Sequence, residues 1–151
     1  MGETLVRGDL LANRGVPLID DTNDLCPGNV GGQIVPFSFK LVCDATSAAG
    51  TKMKFIGSTN VYCIPYKPGS VVGISGWAHT ALGASRHATF TVYKGATATT
   101  MTGTLLASTQ YITASKVKDA VTFAAGKKLS VLCEHASNTT YTMAATIFVE
   151  M

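Results

Sequence analysis

The chain has 151 residues, of which 14% are charged and 46% are hydrophobic, and its formal net charge is +3. This length fits one domain whose core needs no metal or disulfide, and the charged fraction lies well below the roughly 25% of ordinary soluble domains. No run of about 18 apolar residues predicts a membrane-spanning helix, and MGETLVRGDL lacks the regions of a secretory signal, so we expect the product to stay in the cytoplasm of the producing cell.

The charges are distributed unevenly along the chain. Residues 1–44 hold three basic and six acidic side chains, whereas residues 45–151 hold nine basic and three acidic ones. The two parts are therefore expected to face different surroundings. The basic residues are spread over many predicted strands, without a basic run interleaved with aromatic residues, so neither nucleic acid nor a membrane is an expected partner.

Residues 1–32 show no sustained hydrophobic period and carry Gly, Asn, Asp and Pro at many positions, which indicates an extended N-terminal arm. The apolar residues of this arm are scattered between chain breakers and have no core of their own. We expect a partner to cover them, which makes the following residues candidate partner-binding positions: Leu10, Leu11, Val16, Pro17, Leu18 and Leu25.

From residue 33 onward the hydrophobic pattern has a period of two, which is typical of half-buried strands. Strands are predicted in chain order at 34–43, 52–57, 61–66, 71–78, 88–95, 104–111, 121–126, 128–135 and 141–150, with loops at 44–50, 79–87 and 96–103. Short strands, turn residues between them and no long amphipathic helix predict an all-β fold. The prediction is a jelly-roll-like antiparallel β-sandwich of about eight strands over residues 33–151, preceded by the arm.

The segment VVGISGWA (71–78) contains the single tryptophan and almost no polar side chain. Its alternation predicts one face of Val71, Gly73, Ser75 and Trp77 and an opposite face of Val72, Ile74, Gly76 and Ala78. Both faces are apolar or small, so the strand is expected either to be covered on both sides or to contact another subunit. Trp77 is therefore also a candidate partner-binding residue.

The residues that bear chemistry form no catalytic pattern. No G-x-S-x-G elbow or nucleotide-binding loop is present, so we expect neither an enzyme nor a cofactor. Cys133 and His135 share a strand face, but a single such pair is better explained as a buried thiol beside an imidazole than as a zinc site. His79 and His87, which bracket a loop, are a weaker metal candidate on a trimer axis. The run DDTND (20–24) lacks the Gly and Glu of a calcium loop and is interpreted as a solvated turn.

Three further sequence features have ordinary explanations. The cysteines Cys26, Cys43, Cys63 and Cys133 form no CxxC pair, so buried thiols are expected, with a disulfide left open. The tripeptide Arg7-Gly8-Asp9 and the glycosylation sequon Asn138-Thr139-Thr140 are interpreted as chance in a chain without a secretion signal.

The second half of the chain resembles a known family. The segments IPYKPGSVVGISG (64–76), FTVYKG (90–95), VTFAAGKKLSVL (121–132) and TMAATIFVEM (142–151) resemble the jelly-roll modules of tailed-bacteriophage virion proteins. Such modules occur in capsid cement (decoration) proteins and in tail-fibre or receptor-binding knobs. The matching pieces are turns and strands, so they are more specific to a fold than to a function.

The resemblance implies a structural virion protein located on the capsid surface and made in the host cytoplasm. Within the family a cement protein is favoured, because the chain is short and carries only an arm, whereas fibre proteins have long shafts. The implied partners are the major capsid protein and further copies of the chain, with a homotrimer favoured over a homodimer. A tail-fibre or receptor-binding knob that uses the loops at 79–88 and 96–103 is the alternative.

Overall fold

The computed structural model describes residues 33–43, 47–84, 86–135 and 141–151. Over these residues the protein forms ten strands and no helix, and hence no helix that would be long and apolar enough to cross a membrane. The strands are β1 (Ile34–Cys43), β2 (Ser47–Lys52), β3 (Lys54–Phe55), β4 (Gly69–Ala78), β5 (Ala88–Lys94), β6 (Thr97–Leu105), β7 (Tyr111–Ser115), β8 (Thr122–Phe123), β9 (Leu129–His135) and β10 (Tyr141–Glu150).

The strands form two antiparallel sheets. The larger sheet has the order β3-β1-β10-β4-β7, with β8 paired to the start of β4, and the smaller sheet has the order β2-β9-β5-β6. Apart from the two-residue strands β3 and β8, the strands pair first with last and then inward: β1 with β10, β2 with β9, β4 with β7 and β5 with β6. One long antiparallel ribbon wound into two sheets in this way is a jelly roll, so the predicted fold class is confirmed.

The core lies between the two sheets and is filled by alternate residues of the longer strands. On β10 every second side chain from Tyr141 to Val149 is buried, as the period-two pattern predicts. The largest fully buried side chains are Phe39, Phe90, Met53, Met101, Leu105, Leu129, Met143, Ile147, Val71, Val92, Val131 and Val149. Each contributes about 1.5 to 3 kcal/mol by leaving water, which explains how the sandwich closes around an apolar core.

The sequence prediction of several strands was wrong in detail. Residues 47–50 and 97–103, predicted as loops, belong to strands β2 and β6. Residues 61–66, predicted as a strand, make only one isolated bridge, between Cys63 and Leu129. Strand β6 is rich in threonine, with single apolar residues facing inward. This sparse apolar pattern predicted a loop, because the strand is stabilised by tertiary packing and not by a strong local pattern.

Strand β4 departs from strict alternation at Val72. Val149 of β10 pairs with Val71, whereas the preceding Phe148 pairs with Gly73, so Val72 is the extra residue of a β-bulge. The bulge places Val71 in the core, where it is 0% exposed, so the prediction that Val71 shares a face with Gly73 and Trp77 was wrong. A regular alternation cannot show such an insertion, because the signal lies in the register with β10.

Candidate interaction surface

The larger sheet has one face in the core and one face turned outward, which we call the outer face. The strand registers align its side chains in three rows across β1, β10, β4 and β7: Pro36, Phe148, Gly73 and Ser115; Ser38, Thr146, Ser75 and Thr113; Lys40, Ala144, Trp77 and Tyr111. Among these twelve residues only Lys40 is charged, but β3 continues its row with the exposed Lys54, and Glu150 follows Phe148 on the same side of β10. A solvated surface normally mixes charges of both signs at a quarter or more of its positions, so the part of this face between β10 and β7 is poor in charge.

Two exposed aromatic residues are cross-strand partners at one end of the outer face. Trp77 is 44% exposed and Tyr111 is 77% exposed, and the two residues are directly paired between β4 and β7. The ring of the exposed His79 lies edge-on to Trp77, with 5.8 Å between the centroids. Large exposed aromatic side chains on a rigid strand pair are typical anchors of protein interfaces, because each buries much area at little cost in side-chain entropy.

At the opposite end of the outer face, Gly73 lets a phenyl ring lie close to the sheet. A Cβ at Gly73 would lie 3.3 Å from Cδ2 of Phe148, so the phenyl ring packs down over the glycine backbone. Glycine within a strand often marks such a close approach. The half-buried Phe148 therefore forms a low apolar area and not a projecting side chain.

The middle row of the outer face consists of hydroxyl side chains. Ser38 Oγ and Thr146 Oγ1 lie 2.9 Å apart and are hydrogen-bonded to each other across β1 and β10. Their polar atoms thus satisfy one another in part, which lowers the cost of removing water from this row. Small, mutually bonded side chains also keep the face flat enough for a second flat surface to approach.

The outward side of the smaller sheet differs in chemistry. Its central rows present threonines, with Thr89 Oγ1 and Thr104 Oγ1 3.3 Å apart, and the exposed charges of Lys52 and Glu134. Lys52 additionally lies over the ring of Tyr93 at 5.9 Å. These charged and hydroxyl groups suit contact with water, so the aromatic outer face is the better candidate for an interface.

The candidate metal residues turn to different environments. Cys133 and His135 both point into the core, and Cys133 Sγ lies 3.5 Å from Sδ of Met143. His79 and His87 are exposed. Among the described residues no three side chains of the metal-ligating types come together.

His135 is an unusual core residue. It is 2% exposed and packs edge-on to Tyr141, with ring centroids 6.3 Å apart, and neither ring nitrogen has a hydrogen-bond partner among the described residues. Burial disfavours the charged imidazolium and lowers the pKa of His135 below its ordinary 6.5. Burial therefore favours the neutral form of this imidazole in the folded protein.

This burial predicts an acid-dependent loss of stability. Below about pH 6.5 the unfolded chain binds a proton at His135 more readily than the folded chain does. The free energy of unfolding therefore falls as the pH falls, by up to about 1.4 kcal/mol per pH unit. His135→Leu removes this component and is neutral or stabilising at pH 7.5, because two unsatisfied nitrogens are removed. Urea unfolding between pH 7.5 and 5.5 measures both effects. The exposed His87→Gln is the control, and an identical pH slope in His135→Leu and the original protein would contradict the prediction.

The cysteines in the described part are thiols. Cys63 and Cys133 are buried and form no disulfide within the described part of the chain, as expected, and burial raises the pKa of the Cys63 thiol to about 12. Cys26 and the side chain of Cys43 lie outside what the structure describes.

Most of the sequence-predicted partner-binding residues lie outside the described residues. These residues are Leu10, Leu11, Val16, Pro17, Leu18 and Leu25. The rest of the predicted arm (1–32), with DDTND and Arg7-Gly8-Asp9, and the sequon at 138–140 also lie outside the described residues. Trp77 is described, and the structure places it on the outer face. Tyr111 and Phe148, which also lie on this surface, were not predicted as partner-binding residues.

A local signal for Tyr111 was present in the sequence. In YITAS the side chains of Ile112 and Ala114 alternate with those of Tyr111, Thr113 and Ser115, and the structure has the first two half-buried and the other three exposed. Tyr111 was predicted to end a strand at 104–111, whereas it begins β7. No sequence pattern shows that β7 lies beside β4, so the pairing of Tyr111 with Trp77 required the tertiary structure.

Comparison with known proteins gives likenesses among solved structures. No family model and no curated protein matches the sequence. A chain of the acidic stable capsid structure of Helicobacter pylori bacteriophage KHP30 superposes with a TM-score of 0.49 at 13% sequence identity, covering 81% of this chain and 90% of that chain. A likeness of this strength carries no conclusion about the activity or partners of this chain. The chain itself forms a jelly-roll sandwich whose outer face carries the exposed aromatic residues Trp77 and Tyr111.

Proposed function

We propose that this protein is a structural virion component, a capsid cement (decoration) protein that associates with copies of itself and binds the outer surface of a phage shell. The observation that carries the proposal is the outer face, where Trp77, Tyr111 and Phe148 lie on the sheet surface and the charged side chains Lys40, Lys54 and Glu150 lie toward its margins. Contiguous exposed apolar surface of this kind marks an interaction site. The resemblance of residues 64–151 to phage virion modules supplies the class of partner.

Association with other subunits explains the exposed aromatic residues of the outer face, which a free monomer does not need. A homotrimer is the proposed assembly, and the major capsid protein is the proposed shell partner. A protein that binds only the assembled shell stabilises it by mass action. Many copies that each bind weakly are therefore enough to raise the stability of a particle. The acidic residues 1–32 are proposed to add contacts to neighbouring subunits, separate from those of the outer face.

The receptor-binding alternative has lost part of its basis. It requires exposed loops, and residues 97–103 of the proposed second loop are part of strand β6. The remaining loop, residues 79–87, contains no tyrosine or tryptophan.

The proposal is tested with purified protein and with shells of the encoding phage that lack it. The full chain is expected to sediment as an oligomer and to co-sediment with the shells, raising their melting temperature. A chain without residues 1–30 is expected to keep the circular dichroism of the sandwich and to lose most shell binding, because the proposed arm contacts are gone. Shell binding by the truncated chain at full strength would refute the role of the arm, and a monomeric full chain without affinity for shells would refute the function itself.

A further inference from the structure

A cleft lies at the end of the sandwich where β5 and β8 meet the loop before β9. It has a volume of about 470 Å³ and is lined by Lys94, Thr122, Phe123, Ala124 and Lys127. Phe123 is 5% exposed and supplies an apolar wall, whereas Ala124 and Lys127 are exposed at the opening. None of these lining side chains is acidic, so the two ammonium groups face the cleft without a carboxylate in its lining.

A backbone carbonyl oxygen accepts a hydrogen bond from the Lys94 side chain, and the Lys127 side chain lies over the backbone of a glycine. Lys94, the last residue of β5, donates a hydrogen bond from Nζ to the carbonyl oxygen of Thr122 at 2.9 Å. Gly95, at a positive φ of 66°, donates its N–H to the carbonyl oxygen of Lys128 at 2.8 Å and so ties the turn after β5 to the loop before β9. The Lys127 side chain passes directly over Gly95, since Cε and Nζ lie 3.5 and 3.6 Å from where a Cβ would stand. The neighbouring Lys128 is engaged over the ring of Tyr62 at 4.4 Å and does not line the cleft.

We propose that this cleft binds a carboxylate of an acidic polypeptide segment, with Lys94 and Lys127 on the carboxylate and Phe123 against an aliphatic neighbour. Two positive charges beside an apolar wall, with no acidic lining, attract an anion more strongly than the same charges in open water. The volume exceeds that of one carboxylate and admits the adjoining side chain. A neutral saccharide fits less well, because the two ammonium groups among the described lining residues favour a negatively charged ligand. The proposal is independent of the outer face, which lies elsewhere on the sheet.

The test uses the full-length protein and a fluorescein-labelled peptide of three Glu-Leu-Gly repeats. Fluorescence anisotropy in 50 mM salt is expected to show saturable binding, and a peptide with Gln at each Glu is expected not to bind. Lys127→Gln and Lys94→Gln are each expected to weaken binding about tenfold, since each removes a charged hydrogen bond. Lys116→Gln, an equal charge change at an exposed lysine outside the cleft, is expected to leave the affinity unchanged.

Three results would overturn the proposal. One is no binding of the Glu peptide, and another is equal binding by the lysine variants and the original protein. The third is a sulfated heparin-derived oligosaccharide that binds more tightly than the peptide and loses affinity in the same two variants, which would make the cleft a glycan site. Because Trp77 and Tyr111 do not line the cleft, loss of shell binding in outer-face variants with peptide binding retained would separate the two sites.

Discussion

Replacing Trp77 and Tyr111 together by serine is expected to convert the oligomer into monomers and to remove the proposed binding to shells. Both rings are exposed and neighbour each other across β4 and β7, so an interface centred on them buries both at once. Central aromatic residues of an interface typically contribute about 2 kcal/mol or more each, which corresponds to roughly a thirtyfold weaker Kd per ring. Analytical ultracentrifugation over a range of concentrations measures the change.

The fold itself is expected to survive this double substitution. Neither side chain is buried in the core, and exposed substitutions usually change the free energy of unfolding by less than about 1 kcal/mol. Val117→Ser is a matched control, because Val117 is 79% exposed and apolar but lies outside the outer face. Unchanged association of the Trp77/Tyr111 variant, or an equal loss in Val117→Ser, would show that the outer face is not the interface.

Replacing Gly76 by alanine is expected to destabilise the sandwich strongly, although Gly76 is the neighbour of Trp77 in sequence. Gly76 points into the core, and a Cβ there would lie 2.5 and 2.6 Å from ring atoms of Phe90, which is fully buried. Because Phe90 is fully buried, its ring can move only against other core side chains, so the added methyl forces a strained packing. We expect a loss of about 2 to 3 kcal/mol and a fall of about 4 to 12 °C in Tm.

Two further variants make the Gly76 prediction specific. Gly103→Ala is the control, because the tightest contact of its Cβ would be the flexible end of the Ile112 side chain, at 3.3 Å, with Ile74 and Ala114 at the ordinary contact distances of 3.6 and 3.8 Å. Combining Gly76→Ala with Phe90→Leu is expected to cost less than the two single changes added together, since the smaller side chain vacates the space that the methyl needs. Strictly additive losses in urea unfolding would show that the Phe90 contact is not the cause.

The two glycines of β4 show how far a local pattern carries. Alternation in VVGISGWA correctly assigned Gly76 to the face of Ile74 and Gly73 to the face of Trp77. The alternation did not explain why these positions are glycine. A side chain there would meet the ring of Phe90 from β5 or of Phe148 from β10. A sequence pattern reports on which side a residue lies, and only the packed structure reports what lies opposite.

The sequence by itself determined the all-β class, the strands with strong alternation such as β1, β5, β9 and β10, and the exposed or buried side of most of their residues. These follow from a period of two, which is local and needs no partner strand. The tertiary structure alone decided that threonine-rich β6 is a strand, that the bulge at Val72 turns Val71 inward, and that Tyr111 lies beside Trp77. Each depends on pairing between residues far apart in the chain, where register and packing set the outcome and no neighbouring residue records it.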